Sequence, residues 1–178
     1  MLIGDNPSNN GFRQSIEYFL SQGYQKSELY GSMWGFPDYP YQGYLFYAEN
    51  VLQIRKFIDA VIDYTNTTEI DVISHSLGVQ YARRALQGGW ARSYSKRSFS
   101  TGNDSFYIGP PLTDRIRNFI GIAGATWGNA NCFKEEFKST KTCSPLNGYW
   151  PGDQDGEPFP VNLSKFTLDL NNGTNREA

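Results

Sequence analysis

The sequence predicts a single α/β domain with a mostly parallel sheet and helices on both faces. Short β-like apolar runs alternate with stretches in which apolar residues recur every three or four positions, a pattern typical of βαβ units. The chain has 178 residues, about the length of one domain. Its 12 Phe, 12 Tyr and 4 Trp provide enough apolar area to exclude a disordered chain.

The first quarter of the chain predicts two strands around a helix. Leu2 and Ile3 form the end of a strand, before a segment rich in turn-forming residues. Residues 12–22 have one apolar face and end at Gly23, which indicates an amphipathic helix. Residues 28–30 predict a short strand, and residues 31–43, rich in Gly, Pro and aromatic residues, predict a loop.

The longest helical pattern covers residues 45–64, where apolar residues recur on one side. Residues 70–73 then predict a strand, and residues 77–86 predict a helix that Gly88 and Gly89 close.

The second half of the chain has weaker patterns. Residues 89–113 are polar and rich in serine, and we expect a solvated loop there. Residues 118–123 predict another strand. Beyond residue 129 we expect loops with a short helix near residues 164–170.

Composition excludes several classes of protein. Sixteen Lys and Arg against 18 Asp and Glu give a net charge of −2, which is unlike the basic surface of a nucleic-acid-binding domain. No apolar run approaches the ~18 residues that span a bilayer. The first residues have neither the basic flank nor the apolar stretch of a signal peptide. We find no metal-ligand cluster, phosphate-binding loop or nucleotide motif, so we expect no cofactor.

One segment carries a chemical signal, residues 70–79. An apolar strand, a small-x-Ser-x-small pentapeptide and a helix follow one another, which is the context of a nucleophile elbow. Small residues at the ends, Ser74 and Gly78, leave room where the strand and helix backbones nearly touch. The turn is expected to project the Ser76 hydroxyl and to place the Leu77 N–H where an oxyanion forms. Ser74 stands where the usual pattern has glycine.

Four blocks, taken with their order and spacing, resemble the class 2 lipases, secreted triacylglycerol lipases of the α/β-hydrolase fold. The blocks are residues 14–24 with 28–30, residues 51–58, residues 71–86 and residues 119–128 leading to Cys132. The resemblance implies a lipid or ester substrate and a role in lipid catabolism, with Ser76 as nucleophile and the Leu77 N–H as an oxyanion donor. It also implies a second backbone donor after the first strand, here Asp5, although the histidine of the family's His-Gly pair is absent.

The pattern does not identify the base and the acid that would activate the serine. A serine needs a base, and the family order is Ser, then Asp or Glu, then His. His75 is the single histidine of the chain. As the neighbour of Ser76 it is expected to pack beside the elbow rather than act as base. The acid is also unassigned: Asp169 resembles a segment other than the triad acid, and no spacing favours Asp104, Asp114, Asp153 or Asp155.

We therefore expect residues 1–178 to be a single partial α/β-hydrolase domain that lacks its C-terminal strands and hydrolyses esters weakly or not at all. The loss of a triad member removes about 10⁴-fold of rate. The alternative is a non-catalytic binding or interaction protein of the same fold, with the aromatic-rich residues 33–41 lining a lipid cleft. Ordinary packing of those aromatics over the sheet is the simpler interpretation of that segment. The oligomeric state is left open.

The cysteines and sequons indicate the compartment. Cys132 and Cys143 have neither C-x-x-C spacing nor a histidine cluster, which leaves a short-loop disulfide or two free thiols. Four N-x-[ST] sequons favour an oxidising, extracellular compartment, and hence the disulfide. We expect glycosylation at their acceptors: Asn66, Asn103, Asn162 and Asn172.

Overall fold

The computed structural model describes residues 1–4, 11–33, 46–92, 105–153 and 162–178. The strands are β1 (Leu2–Gly4), β2 (Gly31–Met33), β3 (Ile70–His75), β4 (Trp90–Arg92), β5 (Ser105–Tyr107) and β6 (Ile116–Ile122). The helices are α1 (Arg13–Ser21), α2 (Ala48–Thr65), α3 (Gly78–Gln87), α4 (Glu135–Lys138) and α5 (Lys165–Asn171).

In the described part of the chain, the main sheet has four parallel strands in the order β2-β1-β3-β6, which confirms the predicted parallel sheet. Ile3 pairs with Ser74 on one side of β3, and Gly121 pairs with Ser74 on the other. The carboxyl ends of β3 and β6 therefore lie together at one edge of the sheet.

Two sequence predictions of local structure are wrong. The strand expected at residues 28–30 lies three residues later, at β2, in a segment expected to be a loop, because Lys26–Glu28 form a 3₁₀ turn. The Glu28 carboxylate accepts a 2.6 Å hydrogen bond from the Gln25 amide, which stabilises that turn. The loop expected at residues 89–113 contains the antiparallel pair β4 and β5.

The core lies between one face of the sheet and helices α2 and α3. Val72 and Ser74 are fully buried on that face of β3. On the other face of β6, Ile120 and Ile122 are 48% and 45% exposed. Helices α2 and α3 thus cover one face of the sheet, and a helical cover on the second face stays a prediction.

A buried arginine ties α2 to α3. Arg55 is 4% exposed, and its Nη1 donates to the carbonyl oxygens of Ala85 at 3.2 Å and Pro110 at 2.7 Å. Its Nε donates to Asp59 on the same helix at 2.9 Å. The charge is compensated by these acceptors, so the arginine holds the C-terminal end of α3 in place.

The cysteines form the predicted disulfide. Cys132 and Cys143 are joined, with their Cα atoms 5.4 Å apart, and both are buried. The bridge closes the segment of short turns that follows β6.

The last residues of the chain are bound to α3. Arg83 Nε donates to Glu177 at 2.7 Å, and Gln87 Nε2 donates to the same carboxylate at 3.1 Å. Asn175 Nδ2 donates to the Gln87 carbonyl at 2.9 Å. These contacts fasten the far end of the helix that begins at the elbow.

Candidate active site

The turn between β3 and α3 has the geometry of a strained elbow. β3 ends at His75 and α3 begins at Gly78, with Ser76 between them at φ 53°. A non-glycine residue in this left-handed region costs of order 1 kcal/mol or more and persists only where its surroundings enforce it. The Ser76 side chain is half-buried, so the turn does not enclose it in the core.

The small residues around Ser76 are explained by the close approach of α3 to the sheet. A Cβ added at Gly78 would lie 2.8 Å from the carbonyl oxygen of Ile3, inside normal contact distance. Ser74 is fully buried, and its Oγ has no hydrogen-bond partner within the described part of the chain. Larger side chains at these positions would push the helix away from β1.

Two backbone hydrogen bonds fix the elbow. The Ser76 amide donates to the Ile122 carbonyl at 2.8 Å, and the Val79 amide donates to the Ser76 carbonyl at 3.1 Å. Leu77 is the N-cap of α3. The first amides of a helix have no intrahelical acceptor and lie at its positive end, so this turn suits a developing negative charge.

A second strained turn lies beside the first and was not anticipated from the sequence. Ala123, just after β6, has φ 50°. A Cβ added at the next residue, Gly124, would lie 2.8 Å from Cγ1 of Val79 in the first turn of α3. Only the glycine gives a sequence signal here, because alanine alone does not indicate a positive φ.

Two residues are expected beside Ser76: His75, packed against the elbow, and Asp5, as the second oxyanion donor. His75 is exposed and pairs with Ile122 in the sheet, and the expected packing of its ring beside the elbow stays a prediction. Asp5 lies outside the described residues. Within the described ranges, no histidine, aspartate or glutamate hydrogen-bonds to the Ser76 hydroxyl.

Three of the other candidate acids lie in the described residues, and none of these three forms a hydrogen bond with Ser76. Asp169 is exposed on α5, and Asp153 accepts a 2.6 Å hydrogen bond from the amide of Asn162. Asp114 lies in a 3₁₀ turn before β6. Asp104 and Asp155 lie outside the described residues, as do residues 34–41 of the aromatic-rich segment.

Tyr81 does not supply the missing base. Its side chain is fully buried, and its hydroxyl accepts a 3.2 Å hydrogen bond from Asn50 Nδ2. Burial raises the pKa of Tyr81 well above its ordinary value, which outweighs the opposing effect of Asn50. The phenol is therefore neutral over the physiological range.

Three of the four sequon asparagines are exposed. Asn66 is the left-handed C-cap of α2, Asn162 has φ 57°, and Asn172 caps α5. Asn103 lies outside the described residues. The accessibility of the three is compatible with modification.

Within the part of the chain that the structure describes, no group of three or more His, Cys, Asp or Glu is arranged to hold a metal ion. Among the described helices, none combines the length and the apolar character needed to cross a bilayer.

The family model described as lipase (class 2) matches residues 3–178, essentially the whole chain. The comparison with curated proteins gives no significant match.

Proposed function

The chain belongs to the class 2 lipase family, and we propose that it is an α/β-hydrolase domain in which Ser76 forms an acyl-enzyme with carboxylic esters of the acylglycerol type. The observation that carries the proposal is the φ of 53° at a half-exposed serine between β3 and α3. Family membership supports ester hydrolysis in general, and this turn supports the choice of residue.

In the proposed reaction, Ser76 Oγ attacks the carbonyl carbon and gives up its proton to a base. The tetrahedral oxyanion accepts a hydrogen bond from the Leu77 N–H, and a second backbone donor is assigned to Asp5. Collapse of the intermediate breaks the ester C–O bond, and the alcohol leaves with a proton. Water then releases the acyl group as a carboxylic acid.

The general base for Ser76 is not assigned to a residue of this chain, so the experiment adds one. Because the single histidine is the exposed neighbour His75, we expect little labelling of Ser76 by a fluorophosphonate in buffer alone. A fluorophosphonate phosphonylates an activated serine with loss of fluoride. Added imidazole serves as the absent base, and we expect it to accelerate labelling of Ser76, read by peptide mass spectrometry.

Two matched variants complete the test. Ser76→Ala should remove the imidazole-dependent label, whereas Ser74→Ala should keep it because Ser74 is buried on the other side of the turn. A folded wild-type protein without label at Ser76, even with imidazole, contradicts the proposal. That result favours the alternative, a non-catalytic lipid-binding protein of the same fold.

We also propose that the protein acts outside the cell. The Cys132–Cys143 disulfide is typical of oxidising compartments, and members of this family are typically secreted. The exposed sequons at Asn66, Asn162 and Asn172 support the same compartment. Secretion from cultured cells with a mass increase sensitive to glycosidase would test this assignment.

A further inference from the structure

The loop after β6 presents an exposed tryptophan at the sheet edge that carries the elbow. Trp127 is 50% exposed. The loop follows Ile122, the last residue of β6, whose carbonyl accepts the hydrogen bond of the Ser76 amide. Gly124 then lies against Val79 of α3. Three residues span at most about 11 Å, so the backbone of Trp127 lies within that distance of Gly124.

The backbone on both sides of Trp127 is held firmly. Asn171 Nδ2 donates to the Thr126 carbonyl at 2.8 Å, and the Gly128 amide donates to the Ala125 carbonyl at 2.9 Å. Gly128 has φ 95°, and a Cβ added there would lie 2.5 Å from Cα of Pro151. The turn that carries the indole is therefore fixed against two other segments of the chain.

An exposed aromatic side chain on a fixed backbone is suited to binding an apolar group. Ordering it on binding costs little conformational entropy, because its backbone is already in place and its side chain has only two rotatable bonds. Its large apolar area gains free energy when a hydrocarbon chain covers it.

We propose that Trp127 is a substrate-contact residue that packs against the acyl chain of the ester and so sets a preference for longer chains. This inference rests on the proposed reaction at Ser76, since the acyl chain is the part of the substrate that remains attached there. The carboxylate of a released fatty acid would lie at the N-terminus of α3, and its alkyl chain would extend along Trp127.

The test uses decanoate as the probe and acetate as the short-chain control, with fluorescence as the readout. Replacement of Trp34, Trp90 and Trp150 by Phe leaves Trp127 as the single emitter. In the matched protein, Trp34, Trp127 and Trp150 are replaced and Trp90 remains. Trp90 is 69% exposed but follows the other end of α3, about 15 Å away.

We expect monomeric decanoate, but not acetate, to shift the emission of Trp127 to the blue and to protect it from iodide. The Trp90 protein should not respond. An equal response of both proteins, or none from Trp127, overturns the inference.

Calorimetry of single variants gives an independent measurement. In the otherwise wild-type chain, Trp127→Ala should weaken decanoate binding about 10-fold, and Trp127→Phe less than about 3-fold. Trp90→Ala should have no effect. An unchanged affinity in folded Trp127→Ala overturns the inference.

The Ser76→Ala variant separates this inference from the proposed reaction, because it should still bind decanoate. Binding at Trp127 without fluorophosphonate labelling of Ser76 would remove the reaction and leave the site. Labelling of Ser76 without a response at Trp127 would remove the site and leave the reaction.

Discussion

The amide of Ser76 donates a 2.8 Å hydrogen bond to the carbonyl oxygen of Ile122. This bond joins the end of β3 to the end of β6 at the point where the chain must reverse into α3. It also places the two strained residues, Ser76 and Ala123, directly beside each other along the sheet edge. Strain of this kind is retained at functional sites at a cost in stability.

The strain at Ser76 predicts a difference between two substitutions. Ser76→Gly should be more stable than Ser76→Ala by about 1 kcal/mol, because glycine adopts φ 53° without a steric penalty. Urea denaturation of both variants measures this difference in the free energy of unfolding. A more stable alanine variant would show that the left-handed conformation is not enforced.

The close approach at Gly78 predicts a steric effect. Gly78→Ala should destabilise the protein by about 1–3 kcal/mol, since its Cβ would meet the backbone of Ile3. Gly173→Ala is the control, because the nearest atom to its Cβ would be Oε1 of the Gln87 side chain at 3.2 Å, rather than backbone. Thermal unfolding of the two variants should differ clearly. Equal melting temperatures would contradict the contact between α3 and β1.

The buried Arg55 predicts a large loss of stability. Arg55→Ala should cost about 3 kcal/mol, because the Ala85 and Pro110 carbonyl oxygens lose their donor and a cavity opens. The matched control is Arg13→Ala, whose ion pair with Glu17 is exposed on both sides and should change stability by less than about 0.5 kcal/mol. The free energies of unfolding in urea give both values.

The Asp71–Arg117 ion pair on β3 and β6 predicts a loss of stability in acid. Hydrogen bonding by Arg117 is the main cause that holds the pKa of Asp71 below its usual value of 3.8, with a further contribution from Asn118. The stabilisation that this ion pair gives the folded protein is fully present above the pKa of Asp71 in the unfolded chain. It is lost as the pH falls through the lower pKa that Asp71 has in the folded protein.

Asp71→Asn should therefore reduce stability at neutral pH and lose less than wild type on acidification. The effect should be small, since the pair lies at the surface. Urea midpoints measured between about pH 7 and pH 3 test the sign. A steeper acid dependence in the variant than in wild type would contradict this assignment.

The disulfide predicts a redox-dependent stability. Reduction of Cys132–Cys143, which are 11 positions apart, should lower the free energy of unfolding by up to about 3 kcal/mol. The double variant Cys132→Ser with Cys143→Ser should match the reduced protein and be insensitive to reductant. Two alkylatable thiols in the unreduced native protein would contradict the bridge.

The local pattern of the sequence was sufficient for the elements with strong periodicity. Helices α2 and α3 and strand β3 lie within a few residues of their predicted positions, because apolar spacing decides which face of each element is buried. Strands β4 and β5 were missed because each has three residues, and their pairing joins residues 13 or more positions apart. Polar composition alone does not reveal such a pairing.

The sequence by itself determined that a serine between a buried strand and a helix sits among small residues, and that the cysteines could form a bridge. Only the tertiary structure decided that Ser76 has φ 53°, that Ala123 is strained beside it, and that Trp127 is half-exposed in the loop after β6. The physical reason is that periodicity records burial within one segment. Backbone strain and side-chain proximity instead depend on how separate segments pack against one another.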